Sequence, residues 1–239
     1  MKTYKIHLIR HALTQGNLDG RYIGRTDEPL CEEGIKQLRN MAEDMGYPSV
    51  DIVITGSLKR CKETAAIIYP DKMPVEMRGF DECSFGEFEN HTAEELQPYE
   101  EFAQWLAGGE DARPLSGESN REFASRITET FKKTVEGLMK TSIHEVALIT
   151  HGGVIATILS AFGVPEQSMT DWLCPACCGY TICIDTNIWK QFNKFEVIDD
   201  VPPVTLSQQE EENLWDYYRN PTEEELDEWY RNYMENEDE

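Results

Sequence analysis

Two histidines in the chain close runs of large apolar residues, in Ile9-Arg10-His11 and in Thr150-His151-Gly152. An arginine precedes the first. A second arginine, Arg60, follows a third such run, Asp51-Ile-Val-Ile-Thr55, across the turn Gly56-Ser57. Together these residue types suit a tetrahedral phosphate anion. Guanidinium forks grip phosphate oxygens two at a time. Gly152 and Gly153 let backbone N–H groups at a helix start come close to an anion. A neutral imidazole can attack phosphorus while a second one stabilises the equatorial oxygens, and nearby arginines favour the unprotonated form that a nucleophile requires. Taken singly, each residue has a plainer reading: a histidine at a strand end is a hydrogen-bonded structural group, and an arginine on a helix is a solvated charge. His7, His91 and His144 have no such company and read as structural.

The elements that must position these residues can be read along the chain. Tyr4 to Ile9 reads as a buried strand ending at Arg10-His11, and ligands of open α/β sheets bind at the carboxyl ends of strands. A loop with Asn17, Gly20 and Gly24 follows. A helix from about Glu32 to Met45 then shows Ile35, Leu38, Ala42 and Met45 on one face. After the strand 51–55, Ser57 reads as the N-cap of a helix carrying Arg60, Thr64, Ile67 and Ile68, and Pro70 to Pro74 breaks it. Capping boxes mark three later helices: Thr92 with Glu95, Ser119 with Glu122, and Thr222 with Glu225. The second is long, with Phe123, Ile127, Phe131, Val135 and Leu138 at helical spacing. Glu145 to Thr150 is a strand, and an apolar helix runs from it to about Phe162. Gly179–Asp185 and Trp189–Ile198 read as a late pair of strands joined through Asp185-Thr-Asn-Ile. This alternation predicts an α/β fold, a three-layer α/β/α sandwich with a mostly parallel central sheet. If the strands ending near His11, Gly56 and His151 are parallel neighbours, the two imidazoles and the two guanidiniums meet.

Charge narrows the partners. The chain has 45 acids against 22 bases, a net charge of −23, and 13 of the acids fall from Glu210 onward with two arginines. Such a field argues against nucleic acid and against anionic membrane surfaces, and it requires any phosphate site to be a local positive cluster. Residues 1–201 read as one domain and 202–239 as an acidic helical extension opened by Pro202-Pro203. In that extension Leu226, Trp229, Tyr230, Tyr233 and Met234 share one helical face, which would pack on the parent domain or a sister subunit, or else dock a protein partner. The segment Met1 to His11 lacks the uninterrupted apolar run of a signal peptide, and no stretch approaches the length of a membrane span. Seven cysteines, an odd number and mostly scattered, suggest reduced thiols and a cytoplasmic protein. Cys174, Cys177 and Cys178 could supply half of a zinc site, but the other half is missing, and buried or loop thiols are the better reading.

A family resemblance joins these pieces. Arg10-His11-Ala12-Leu13-Thr14-Gln15-Gly16-Asn17 resembles R-H-G-x-T-x-x-N, the signature of the histidine phosphatase (phosphoglycerate mutase-like) superfamily. Gly20 to Gly34 is similar to its G-R-x-x-G-x-x-D-x-P-L-x-x-x-G segment. Gly56 to Ala65 resembles its S-x-x-x-R-x-x-x-T-A helix, with Gly56 where serine is more usual. Glu82 to Glu89 resembles its E-x-x-x-G-x-x-E stretch, and Thr150 to Gly153 matches the last block. The blocks keep the family's order over residues 1–200. The resemblance implies that His11 becomes phosphohistidine and that Arg10, Arg60 and His151 bind the transferred group. Asn17, Ile23, Gly24 and Gly152 would help hold substrate. Glu82 would give a proton to the leaving alkoxide and then take one from water, which suits a carboxyl whose pKa is raised. It implies no metal or other cofactor, because arginines bring the positive charge. Ala12 departs from the signature glycine and would cost roughly 1 kcal/mol if the position demanded a positive φ.

The resemblance further implies a phosphomonoesterase acting on a small phosphorylated metabolite, similar to the short broad-specificity and α-ribazole phosphatases. A phosphoglycerate-type mutase is the alternative, and a catalytically weak regulatory binder is a third reading. Mutases of the family carry a longer, basic insert after the acid, whereas here only 69 positions separate Glu82 from His151, and His91 to Glu118 contains a single arginine, Arg113. Substrate choice would lie in residues 83–118. There Phe85, Phe88, Tyr99, Phe102 and Trp105 either line a pocket or form ordinary core.

Overall fold

The computed structural model describes residues 2–203. Strand β1 (Thr3–Arg10) is buried without a break from Ile6 to Ile9 because both of its faces are covered, Ile6 and Leu8 turning one way and Ile9 the other. A one-turn helix, α1 (Gln15–Leu18), and a longer one, α2 (Glu32–Asp44), follow. The buried face of α2 is Gly34, Leu38 and Met41, while Ile35 is only half-buried. Gly34 sets that face, since a side chain there would meet the carbonyl of Leu13 at 2.2 Å. Next come β2 (Ile52–Thr55), α3 (Lys59–Ile68) and the short edge strand β3 (Val75–Glu76). Helices α4 (Ala93–Leu96), α5 (Glu100–Leu106) and α6 (Asn120–Leu138) precede β4 (Glu145–Thr150). The chain then forms α7 (Gly152–Phe162), β5 (Gly163–Val164), β6 (Gly179–Asp185), α8 (Thr186–Phe192) and β7 (Phe195–Val201).

The seven strands make one sheet in the order β3-β2-β4-β1-β6-β7-β5. The β1–β4, β2–β4, β2–β3 and β5–β7 pairs are parallel, and β6 runs antiparallel to both neighbours. A mostly parallel sheet was the expectation, and β1, β4 and β2 are the parallel neighbours it required. On one face, Leu8, Leu148 and Ile182 pack with Ile127 and Phe131 of α6 and Ile155 and Ile158 of α7. On the other, Ile9, Val53, Ala147 and Ile149 pack with Cys61 and Ala65 of α3. These are the three layers.

Two local readings are corrected. Ser57 does not cap α3; the N-cap is Leu58, without a side-chain bond, because the Ser57 hydroxyl donates to Asp81 Oδ2 at 2.7 Å. The second late strand begins only at Phe195. Residues 186–192 are helical because Asp185 Oδ1 accepts from the N–H groups of Asn187 and Ile188, and Asn193 closes the helix at φ 51°. Trp189, read as a strand residue, is the buried anchor of that helix against Phe131 and Phe162. The capping boxes at Thr92 and Ser119 form as read. The third, at Thr222, and the aromatic face of the 202–239 extension lie outside the described residues. Among the described residues no helix is long and apolar enough to cross a membrane.

Candidate active site

The parallel register assembles the site. Arg10 pairs with Thr150 across β1 and β4, and the N–H of His11 donates to the Thr150 carbonyl at 2.9 Å. Each histidine is therefore the first residue beyond the same rung of the ladder. The N–H of Gly56, leaving β2, donates to Ile149 at 3.1 Å, which brings the start of α3 to the same edge. From that helix Arg60 enters the interior and is wholly buried.

Arg60 organises what it meets. Its Nη1 donates to the Thr26 carbonyl at 2.7 Å and its Nη2 to the Gly24 carbonyl at 2.6 Å. Its Nε lies 3.2 Å from both His11 Nε2 and His151 Nδ1, donating to each. A guanidinium can only donate, so both contacted nitrogens are acceptors. The proton of His11 is then on Nδ1, from which it donates to the Ala12 carbonyl at 2.7 Å, and the Nε2 lone pair faces the site. The proton of His151 is on Nε2, 3.5 Å from Cys61 Sγ. The two rings are 5.0 Å apart, edge to face. Burial first, then Arg60 and Arg10, hold the His11 pKa well below its ordinary value. Burial and then Arg60 do the same for His151. Both imidazoles are neutral at pH 7.

The remaining expected residues divide. Arg10 donates through Nη1 to the Cys174 carbonyl at 2.7 Å and lies against Gly152, whose missing side chain would come within 3.5 Å of its Nε. Glu82 accepts from the N–H of Cys83 at 2.9 Å and from that of Gly153, in the first turn of α7, at 3.2 Å. Burial raises its pKa against the opposing pull of those bonds and of Arg60 and Arg10. Gly24 sits where a side chain would strike the Cys83 carbonyl at 2.0 Å, so only glycine lets the two loops meet. The structure thus brings together His11, His151, Arg60, Arg10, Glu82, Gly24 and Gly152. Asn17 is used in the capping box of α1, where its Oδ1 accepts from the N–H of Thr14, and Ile23 is a buried packing residue.

Ala12 does not strain the backbone. It is not among the residues with positive φ, its N–H donates to Thr64 Oγ1 at 3.0 Å, and its methyl is buried. A side chain at Gly56 would come within 3.0 Å of Asp81 Oδ1 and 3.3 Å of His151 Nε2, so glycine gives the second histidine room.

Four participants went unassigned in the sequence reading. Thr64 holds the Ala12 amide. Glu89 accepts from the N–H groups of Gly24, Arg25, Thr26 and Phe85 and from the Thr26 hydroxyl. Against the cost of burial, those bonds keep its carboxyl below the ordinary range. Asp81 pairs with Arg25 at 3.1 Å, so a third guanidinium borders the site. Thr64 and Glu89 lay within recognised motifs, but their partners are distant in sequence. Phe88 and Phe102, with Tyr22, Phe85 and Trp105, form a small core of their own, while Tyr99 is exposed. Cys174, Cys177 and Cys178 are buried, and among the described residues no group of His, Cys, Asp and Glu is arranged to hold a metal.

Two imidazoles, a buried arginine with a half-buried one beside it, and a carboxyl of raised pKa, at the carboxyl ends of parallel strands, define an α/β phosphoryl-transfer site. Residues 6–193 match the family model of the histidine phosphatase superfamily, branch 1, and the chain belongs to that family. It is 28% identical over 170 residues to the adenosylcobalamin/α-ribazole phosphatase of Escherichia coli strain K12, covering 69% of this chain and 82% of the relative. It is 30% identical over 172 residues to a probable phosphoglycerate mutase GpmB of Yersinia pestis strain Pestoides F, covering 69% and 77%. Among solved structures, a putative α-ribazole-5'-P phosphatase from Escherichia coli K-12 shares the fold with TM-score 0.73 at 22% identity, covering 85% of this chain and 99% of that one.

Proposed function

We propose that the chain hydrolyses phosphomonoesters of small metabolites through a phosphohistidine at His11. The observation that carries this reading is the single Nε of Arg60 held 3.2 Å from both His11 Nε2 and His151 Nδ1. A phosphoryl group bound beside Arg60 would take up the Nε2 lone pair that the Arg60 Nε–H now occupies, with the guanidinium alongside it.

In the first step His11 Nε2 attacks phosphorus, the ester P–O bond breaks, and Glu82 passes its proton to the leaving alkoxide. The positive charge on the phosphorylated ring is steadied by Nδ1–H donating to the Ala12 carbonyl. Arg10 and Arg60 stabilise the charge on the equatorial oxygens, and His151 joins them in the tautomer that carries its proton on Nδ1. In the second step water attacks phosphorus, the Glu82 carboxylate takes its proton, the N–P bond breaks, and inorganic phosphate leaves. The site returns to its starting protonation.

Hydrolysis is favoured over transfer to a second hydroxyl because the segment over the site offers little for a second phosphate. Arg113, its sole arginine, is paired with Glu122 at 3.0 Å on the surface. The relatives named α-ribazole phosphatases make α-ribazole 5'-phosphate the first compound to assay, beside p-nitrophenyl phosphate. The cytoplasm is the compartment in which we place this activity, supported by seven cysteines that are all unbridged.

The test is turnover and trapping. The native protein should release phosphate from these esters and, after rapid quenching, carry an acid-labile phosphoryl group. His11→Ala should do neither. Turnover surviving in His11→Ala would contradict the reading.

A further inference from the structure

We propose that Arg126, clamped by Glu118, is the positioning residue for Glu82, fixing the loop that carries the proton donor; this rests on the reading of Glu82 given above. Arg126 lies in the second turn of α6 and has five N–H donors, which the structure uses completely. Its Nε and Nη2 each donate at 2.7 Å to Glu118, one to each carboxylate oxygen. Its Nη1 donates to the carbonyls of Gly79 at 3.0 Å and Asp81 at 2.9 Å, and Nη2 donates to that of Glu82 at 3.2 Å.

The fourth carbonyl of the loop, that of Phe80, accepts from Thr150 Oγ1 at 2.7 Å. Every carbonyl from Gly79 to Glu82 is thus tied to a donor on a rigid element, three to α6 and one to β4. Gly79 adds a steric lock, because a side chain there would meet Thr130 of α6 at 2.3 Å. Glu118 is itself fixed, its N–H donating to the Ser84 carbonyl at 2.8 Å. Glu118 also lies 3.9 Å from Arg25 Nη2, but no hydrogen bond or ion pair joins Arg126 or Glu118 to His11, His151 or Arg60.

The arrangement fits a particular need. A general acid must lie within hydrogen-bond reach of the leaving oxygen, and Glu82 stands just past a single 3-10 turn, Arg78–Phe80, on backbone that is neither helix nor strand. The fork of Arg126 supplies the stiffness that the local backbone lacks. Lysine would keep the charge, but its single ammonium cannot span a carboxylate and three carbonyls.

Positioning the acid matters only where the leaving group needs a proton. The experiment compares kcat/KM for p-nitrophenyl phosphate, whose leaving group departs unprotonated, with benzyl phosphate, similar in size but leaving as a basic alkoxide. This constant covers phosphoryl transfer to the histidine and excludes hydrolysis of the phosphoenzyme. In the full chain, Glu82→Gln should raise the aryl-to-benzyl ratio by about 100-fold or more. Arg126→Lys should raise it by at least about 10-fold, with the aryl ester within about 3-fold of native. Glu118→Gln should shift the ratio in the same direction. An unchanged ratio in Arg126→Lys, with a raised ratio in Glu82→Gln, overturns the inference alone. An unchanged ratio in Glu82→Gln overturns the role of Glu82 itself, so the two failures are distinguishable. Should Arg126→Lys not fold, Glu118→Gln decides, and a folded Glu118→Gln with the native ratio overturns the proposal.

Discussion

Arg60 is buried without an ion-pair partner among the described residues, its donors directed at two carbonyls and two imidazoles. A buried charge so placed lacks a counter-charge, and an anion can provide one. Inorganic phosphate at 100 times its Kd should therefore stabilise the native protein by about 2.7 kcal/mol, read as a raised melting temperature, and have little effect on Arg60→Met. An equal shift in both would place the anion elsewhere. The two neutral histidines set the response to acid. Their folded pKa values are lowered, so below the unfolded value near 6.5 the unfolded chain binds protons that the native chain refuses. Stability should fall as pH drops below about 6.5, by up to about 1.4 kcal/mol per unit for each histidine. Glu82, whose pKa is raised, works in the opposite direction with one proton against two. Urea melts between pH 5 and 7 should show this slope, and the double variant His11→Gln, His151→Gln should reduce it to the part that His7 contributes, whose pKa burial also lowers. At this scale the nucleophile, its partner histidine and Arg60 were legible because each follows closely on an apolar strand. The grip of Glu89 on residues 24–26 was not, since its geometry depends on two loops some 65 positions apart.

Among the elements, the start of α7 joins two demands. Gly153 lies in the first turn of the helix, donates to Glu82, and has no room for a side chain, which would fall 2.6 Å from Glu82 Oε1. Alanine is worth about 0.5–1 kcal/mol more than glycine within a helix, yet here its methyl would displace the acid. Gly153→Ala should lower kcat/KM for benzyl phosphate by at least about 10-fold, the scale of a misplaced catalytic group, without a comparable loss of thermal stability. A collapse in stability would show that crowding, not displacement of the carboxyl, dominates. Periodicity located β1, β2, β4 and β6 and the long helices of the catalytic fold, because their apolar runs are long enough to read, whereas the two-residue β3 and β5 are not. It failed at α8, where Trp189, Ile188 and Phe192 carry strand-like composition while the helix depends on Asp185 and Asn193 at its ends. It failed at Ser57 as well, whose hydroxyl is taken by Asp81 from 24 residues further on. Competition from distant partners is invisible to a local pattern.

The whole molecule carries a net charge of −23, yet the proposed substrate is an anion. Long-range repulsion is screened by salt more strongly than the buried contacts of the site. Sodium chloride raised from 10 to 150 mM should therefore increase kcat/KM for a dianionic ester, and a steady decrease would mean that attraction to the local arginines dominates encounter. Finally, His11 follows directly on the Arg10–Thr150 rung where β1 meets β4, its N–H bonded to the Thr150 carbonyl, in the middle of a sheet covered on both sides. The reactive imidazole is thus fastened to the part of the protein that opens last. Its amide, and those of Ile149 and Ile9 beside it, should exchange with deuterium only through global unfolding, while the amides of the loop over the site exchange through smaller openings. Chemistry of this kind would persist under denaturant almost to the point where the chain itself comes apart, so that loss of turnover and loss of fold coincide in a single transition.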